Sequence, residues 1–242
     1  MIEIGHHKLW HFMGLTFHAD TIISMLIVSA IIISLAAAAR IFLSLYSKKK
    51  LTYVQAATEL ILETLKGLPV SVMGKGGEKY APLISTLFIF ILISNWFELV
   101  PVNAVYDLFF EKMFGEIPHI TAPTTDINFT AGLALVVFFS IHFFGIKERK
   151  AAYFSRFFRP YFFFLPINIM EELAKPFSLA LRLFGNMFGK ETILLILIAL
   201  TVFPIFYPLP ILALSLFIGL VQAYIFALMT TFYIGGAVSD GH

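Results

Sequence analysis

K-P-F-S-L-A-L-R-L-F-G-N-M-F-G-K-E, residues 175–191, sets a single arginine, Arg182, inside a long apolar run. From Thr192 to Phe203 no residue is charged, and upstream Phe177 to Leu181 is apolar apart from Ser178. A charge at membrane depth costs about 2.5 kcal/mol or more. Such a residue is kept for a function or neutralised by a partner. As one helix turning about 100° per residue, the stretch puts Lys175, Arg182 and Asn186 on one face, with Glu171 close to the same line. Glu191 follows Arg182 by nine residues; it points to the opposite side, about 13 Å further along the axis. Ion pairs within a helix sit about three or four residues apart, so Arg182 has to look elsewhere for a counter-ion. Gly185, Gly189 and Ala180 are small enough for a second helix to come close. Pro176 opens a helical segment or kinks one.

The rest of the chain is of the same kind. Of 242 residues, 59% are hydrophobic and 13% charged, and the mean hydropathy is +0.88. Soluble domains carry about 25% charged residues, so the class is a polytopic membrane protein. There is no cysteine, which excludes disulfides, thiolate metal sites and cysteine nucleophiles. The net charge of +2 is small, and nothing points to nucleic acid. The N-terminus lacks the basic, apolar and small-residue succession of a cleaved signal peptide.

Residues 1–20 are polar and aromatic, with His6, His7, His11 and His18. They read as a solvated tail at the membrane interface, and no H-E-x-x-H pattern supports a metal site. The first span is 21–45, with Arg40 near one end, where it can snorkel. Lys48–Lys50 follow and mark the cytoplasmic side, which leaves the N-terminus outside. Residues 51–66 are amphipathic and predict a surface helix. The sequence M-G-K-G-G-E-K (73–79) predicts a flexible loop; its glycines lack the G-K-[ST] of a phosphate loop. The second span, 82–101, carries Asn95 and Glu98 near its outer end beside Trp96. By residue type, Glu98 is either an interfacial anion or part of an ion path. An acidic outer loop with Asp107, Glu111, Glu116 and Asp126 leads to the third span, 129–146. Lys147, Arg149, Lys150, Arg156 and Arg159 then return to the cytoplasmic side.

Residues 165–203 form a helical segment that would be close to 60 Å long, against a hydrocarbon core of about 30 Å. It must tilt, kink or lie partly along the membrane. Pro204, Pro208 and Pro210 force a turn, and 211–234 run back carrying Gln222, with Ser215 two turns earlier. The expected fold is an all-α polytopic membrane protein of five membrane segments. It has an outside N-terminus and a cytoplasmic C-terminus, ends in a long, strongly tilted helical hairpin, and carries one amphipathic surface helix. No internal repeat is present, which argues against a repeat-built transporter.

Moving a proton through lipid needs polar groups along a path, water near both faces and a block between them. The candidate conductors are Glu191, Asn186, Gln222, Glu98, Asn95 and Asp126 towards one side, and Glu171 and Glu172 towards the other. Arg182 is the candidate block, because its guanidinium stays protonated and cannot relay protons. Lys175, Ser178 and Ser215 support it. Three of these residues also have a plainer reading. Gln222 suits an interhelical hydrogen bond, Glu191 beside Lys190 suits a surface pair, and Arg182 suits a structural ion pair.

The pattern L-R-L-F-G-N-M-F-G-K-E resembles the signature of the subunit a family of F-type ATP synthases. N-W-F-E-L-V-P (95–101), P-T-T-D-I-N-F-T (123–130), L-P-I-N-I-M-E-E-L-A-K-P (165–176) and I-G-L-V-Q-A-Y-I-F (218–226) fall in that family's order and spacing. The likeness runs from about Phe17 to the C-terminus, on the side of the bacterial, cyanobacterial and chloroplast branch. The resemblance implies a non-catalytic channel subunit that passes protons through two offset half-channels against a rotating c-subunit ring. Peripheral-stalk b subunits and the rest of the ATP synthase would be its other partners. It implies a bacterial plasma (inner) membrane ahead of a thylakoid, and no cofactor or metal. Arg182 takes the place of the essential arginine facing the ring's carboxylate. Asn186, Glu191 and Gln222 take matching positions around the half-channels. The chain departs from some members at Ser215, where they have histidine, and at Asn168, where they have a carboxylate; Glu171 or Glu172 would then replace that acid. From other classes, an ion-coupled secondary transporter would want broken helices in both halves. An intramembrane hydrolase would want a nucleophile motif that is absent.

Overall fold

The structure, a computed structural model, describes residues 9–12, 15–46, 53–97, 99, 122–158, 161–200 and 208–239. Two short strands, β1 (Leu9–Phe12) and β2 (Leu15–His18), pair antiparallel with Leu9 opposite His18. Helices α1 (Ala19–Tyr46), α2 (Tyr53–Met73) and α3 (Ala81–Phe97) follow. After them come α4 (Ile127–Arg149), the single turn α5 (Ala152–Ser155), α6 (Leu165–Leu200) and α7 (Pro208–Val238). Short 3₁₀ turns at Gly74–Tyr80, Pro123–Thr125, Arg156–Phe158 and Phe162–Phe164 join them.

Three expectations change. Residues 9–12 and 15–18 of the N-terminal tail form the β1–β2 hairpin, strands that the all-α expectation did not include. The surface helix does not stop at Lys66 but runs on to Met73 through Pro69. It does so because Leu65 and Leu68 are buried in the main core beside α3 and α7. Residues 74–80 are a 3₁₀ helix rather than a loop. Tyr80 at its end is buried edge-on to Phe144 of α4, with ring centroids 4.9 Å apart, and Lys79 lies 2.6 Å from Glu148. Contacts across the bundle override the flexibility that glycines give an isolated segment. Lys48–Lys50, Glu98, the loop carrying Asp107, Glu111 and Glu116, Arg159 and the turn at Pro204 lie outside the described residues.

Four described segments are long and apolar enough to cross a membrane: Ala19–Ile41, Glu59–Phe97, Ile127–Arg149 and Leu212–Val238. Phe139, Phe143, Phe177 and Phe217 are each more than half exposed on the bundle surface. Large apolar side chains turned outward in such numbers belong against lipid or another apolar chain, because water penalises contiguous apolar surface.

Helix α3 is the centre of the packing. Its longest contact is with α7; α1 and α2 also lean on it, while α4 packs against both α6 and α7. The core they enclose includes Ile84, Ile91, Val137, Ile141, Leu183 and Phe226. Helix α6 rests mainly on α4 and touches α7 less extensively, so the last two helices are not a simple face-to-face pair. Local chemistry sets the ends. Asp126 caps α4 by accepting from the Asn128 amide at 2.8 Å, while Lys147 and Arg149 occupy its last turn. An acceptor before the first turn and cations in the last both suit the helix dipole. Gly145 lets the C-terminal end of α4 close on the next segment. A Cβ there would lie 2.2 Å from Tyr153 Cε2, and Tyr153 is fully buried.

Candidate functional site

The polar residues of the bundle gather in three places along α6 and its neighbours. Arg182 stands in the middle of α6 and is half-buried. Among the described residues none gives it a hydrogen bond or an ion pair; the ion pairs of the structure lie elsewhere. One turn later, about 6 Å along the axis, Asn186 Nδ2 donates to Gln222 Oε1 of α7. Gln222 is 1% exposed, and its Nε2 is buried without a hydrogen bond among the described residues. An orphaned buried amide costs about 1–3 kcal/mol. Ser215, two turns back on α7, is buried too.

Seven residues before Arg182, about 10 Å the other way, Lys175 donates to Glu172 Oε1. Arg156 Nη2 reaches the same oxygen at 2.6 Å. Glu171 is exposed beside them, and Asn168 Nδ2 donates to the Phe157 carbonyl at 2.8 Å. Ser178, between Lys175 and Arg182, is half-buried. Arg182 thus sits between two polar clusters on one helix, with apolar Leu179, Leu183 and Met187 buried on its other side.

The third place is where α3, α4 and α7 meet. Asn95 is buried and its amide is used at both ends: Nδ2 donates to the Gly219 carbonyl at 3.2 Å, and Oδ1 accepts from Thr124 Oγ1 at 2.9 Å. Trp96 Nε1 donates to the Leu216 carbonyl at 3.1 Å. Gly219 permits this approach, since a Cβ on it would meet Trp96 Cδ1 at 3.1 Å and Asn95 Cβ at 3.2 Å. Asp126 is buried close to the start of α4. Its Oδ2 accepts from Thr21 Oγ1 at 2.8 Å and faces His18 Nδ1 at 2.6 Å. Burial alone raises the Asp126 carboxyl, but the hydrogen bonds from Thr21, His18 and the Asn128 amide outweigh it and hold the group below its ordinary value.

The structure therefore brings Asn186 to Gln222, and Lys175 to Glu172. It leaves Asn95 and Asp126 in separate networks nearer the ends of the helices. Glu191 lies on α6 with its side chain outside the described residues. Sequence reasoning missed Arg156 as a ligand of Glu172, and His18, Thr21 and Thr124 as partners of Asp126 and Asn95. Arg156 stood in a basic loop that orientation alone explained, and no spacing rule links it to a residue sixteen positions on.

Packed apolar helices, a half-buried arginine and buried amides between helices define an integral membrane protein with a polar site inside its bundle. The chain belongs to the ATP synthase A chain family, whose model matches residues 22–235. It is 34% identical over 248 residues to the chloroplastic ATP synthase subunit a of Bigelowiella natans, covering 100% of this chain and 94% of that protein. It is equally 34% identical over 249 residues to the chloroplastic ATP synthase subunit a of Stigeoclonium helveticum, covering 100% and 93%.

Proposed function

We propose that this chain is the membrane channel subunit of an F-type ATP synthase. It carries protons between the two sides of the membrane through two offset half-channels against a rotating ring of c subunits. The observation that supports this most is the place of Arg182: half-buried, unpaired among the described residues, and flanked along α6 by a polar cluster on either side. Its surroundings also suit a moving partner. Phe177, Leu181 and Phe188 are exposed on α6, and an added Cβ at Gly185 or Gly189 meets nothing within 4 Å. A helix of the ring can lie there and present its carboxylate to Arg182.

On this reading Arg182 is the block and the discharger. At about 4 Å and an effective dielectric near 20 its attraction for a carboxylate is on the order of 4 kcal/mol before desolvation. A neighbouring cation lowers a carboxyl pKa by about 1–3 units, so the ring's acid gives up its proton at the stator. Asn186, Gln222 and Glu191 line the path towards the outside, with Glu98 and Asp126 at its mouth and Asn95 and Ser215 beside it. Glu171 and Glu172 stand at the inward end of the path, with Lys175 and Ser178 between them and Arg182. The N-terminus lies outside and the C-terminus in the cytoplasm, α6 supplies the fifth membrane segment, and α6 with α7 forms the tilted hairpin. The subunit has no catalytic centre of its own; it works with the c-ring, the peripheral-stalk b subunits and the rest of the complex in a bacterial plasma membrane.

Reconstituting the whole complex in vesicles with an imposed potential tests the proposal. Arg182→Ala is expected to abolish coupled ATP synthesis and to permit passive leakage. Arg182→Lys keeps the charge but loses the planar fork, and is expected to fail in coupling as well. Normal coupled synthesis by the alanine variant would overturn the function proposed here.

A further inference from the structure

A cavity of about 370 Å³ opens beside the first half of α6, lined among others by Arg156, Asn168, Glu171, Glu172, Lys175 and Tyr233. We propose that its two acids have different tasks: Glu171 exchanges protons with the cavity, whereas Glu172 is held out of the path by a clamp in which Arg156 is the positioning residue. This inference rests on the proton-path reading above and assigns the inward end of that path.

The clamp is a built structure. Arg156 Nη2 and Lys175 Nζ both bind Glu172 Oε1, and the three side chains are 16%, 17% and 12% exposed. Each cation is also fixed by a ring. The Arg156 guanidinium carbon lies 4.4 Å from the centroid of Tyr153 and 5.1 Å from that of Phe157, and Lys175 Nζ lies 5.7 Å from that of Tyr233. Partly desolvated cation–ring contacts of this kind resist displacement. Tyr153 is itself locked against Gly145, so the arginine is anchored to α4 as well as to α6. Asn168 has no titratable proton, and its amide ties the Phe157 carbonyl to α6.

Glu171 is in the opposite situation. It is exposed at the same cavity, and among the described residues no ion pair or hydrogen bond holds it. Its position on the helix separates it further. Glu171 precedes Arg182 by eleven residues and shares its face to within about 20°, whereas Glu172 is turned about 80° away. Glu171 is the acid on the arginine's line, about 16 Å from it along the axis. The step is a proton transfer only: the protonated carboxyl gives its proton to water in the cavity, and the carboxylate takes the next one arriving from the direction of Arg182. No other bond changes.

The test uses the whole complex in inverted membrane vesicles, reading ATP-driven proton pumping between pH 6 and 9 together with the amount of assembled subunit. Glu171→Gln is expected to assemble normally and to pump about tenfold more slowly or worse. Glu171→His is expected to restore part of the rate with a displaced pH profile, which a packing role would not produce. Glu172→Gln leaves two cations unneutralised and is expected to reduce assembly. The double variant R156Q/E172Q restores the cluster's charge balance and is expected to recover both assembly and pumping. Wild-type pumping by Glu171→Gln would overturn the assignment, as would a double variant that assembles but does not pump. If Arg182→Ala abolishes coupling while Glu171→Gln changes nothing, this division of tasks alone fails. If Arg182→Ala still couples, the function beneath it fails.

Discussion

Asn186 of α6 and Gln222 of α7 are 36 residues apart in sequence and joined side chain to side chain, Asn186 Nδ2 donating to Gln222 Oε1. The bond lies one turn from Arg182 and ties α6 to α7 there, while α6 rests mainly on α4.

Replacing Asn186 with leucine is expected to leave the buried Gln222 Oε1 unsatisfied, at a cost of about 1–3 kcal/mol, whereas Gln222→Leu leaves only the exposed Asn186 without its partner and should cost less. The double leucine variant should cost less than the sum of the two, because no orphaned group remains. Thermal unfolding of the purified subunit in detergent measures the three values. Strictly additive losses would show that the two amides act independently.

Asp126 is expected to make the start of α4 acid-sensitive. Its carboxyl is held below the ordinary value by Thr21, His18 and the Asn128 amide against the opposing effect of burial. A group depressed on folding contributes stability that is fully present above its unfolded pKa, about 3.9 for aspartate, and is lost as the pH falls through the lower folded value. The stability gap between the natural chain and Asp126→Asn should therefore be constant at neutral pH and shrink at pH below about 4. Melting curves across that range measure it; a gap that narrows instead between neutral and alkaline pH would contradict the sign.

At Gly219, α7 lies close against α3. Alanine there needs Trp96 and Asn95 to yield by a few tenths of an ångström, since the added carbon meets them at 3.1 and 3.2 Å. Valine needs more, and overpacking of this kind costs about 1–3 kcal/mol. Gly219→Val is expected to lower the melting temperature clearly and Gly219→Ala slightly. Equal, negligible effects would mean the two helices are free to separate.

The proposed function puts Glu191 among the proton-exchanging groups. Glu191→Gln should slow proton flux in reconstituted vesicles while the subunit still assembles, and Glu191→Asp or Glu191→His, which still titrate, should slow it less. Equal losses with glutamine and aspartate would assign Glu191 to packing.

Much of the architecture was legible in composition and spacing. The apolar runs 82–101, 129–146 and 211–234 overlap α3, α4 and α7, because an uninterrupted apolar stretch has to bury its backbone hydrogen bonds within itself, and a helix does so. Arg182 stood out for the same reason, as a charge where charge is costly. The misread segments were those whose local chemistry is ambiguous. The glycines of 74–80 promised flexibility, and the histidines of the first twenty residues gave no periodicity at all.

The sequence by itself determined the class of protein, the helices and the residues worth suspecting, since helix formation and the cost of charge in an apolar medium are local properties of the chain. Pairing was not among them. That Arg156 binds Glu172, that Asp126 receives Thr21 and His18, and that Asn95 holds Gly219 depends on which helix faces meet after packing. Those faces are chosen by apolar contacts among the six long helices described, none of which carries a mark of its neighbour. Glu171 and Glu172 show the limit most clearly. Adjacent and identical in chemistry, they are indistinguishable as letters, and only the turn of α6 and the arrival of Arg156 from another segment decide which is clamped and which is free.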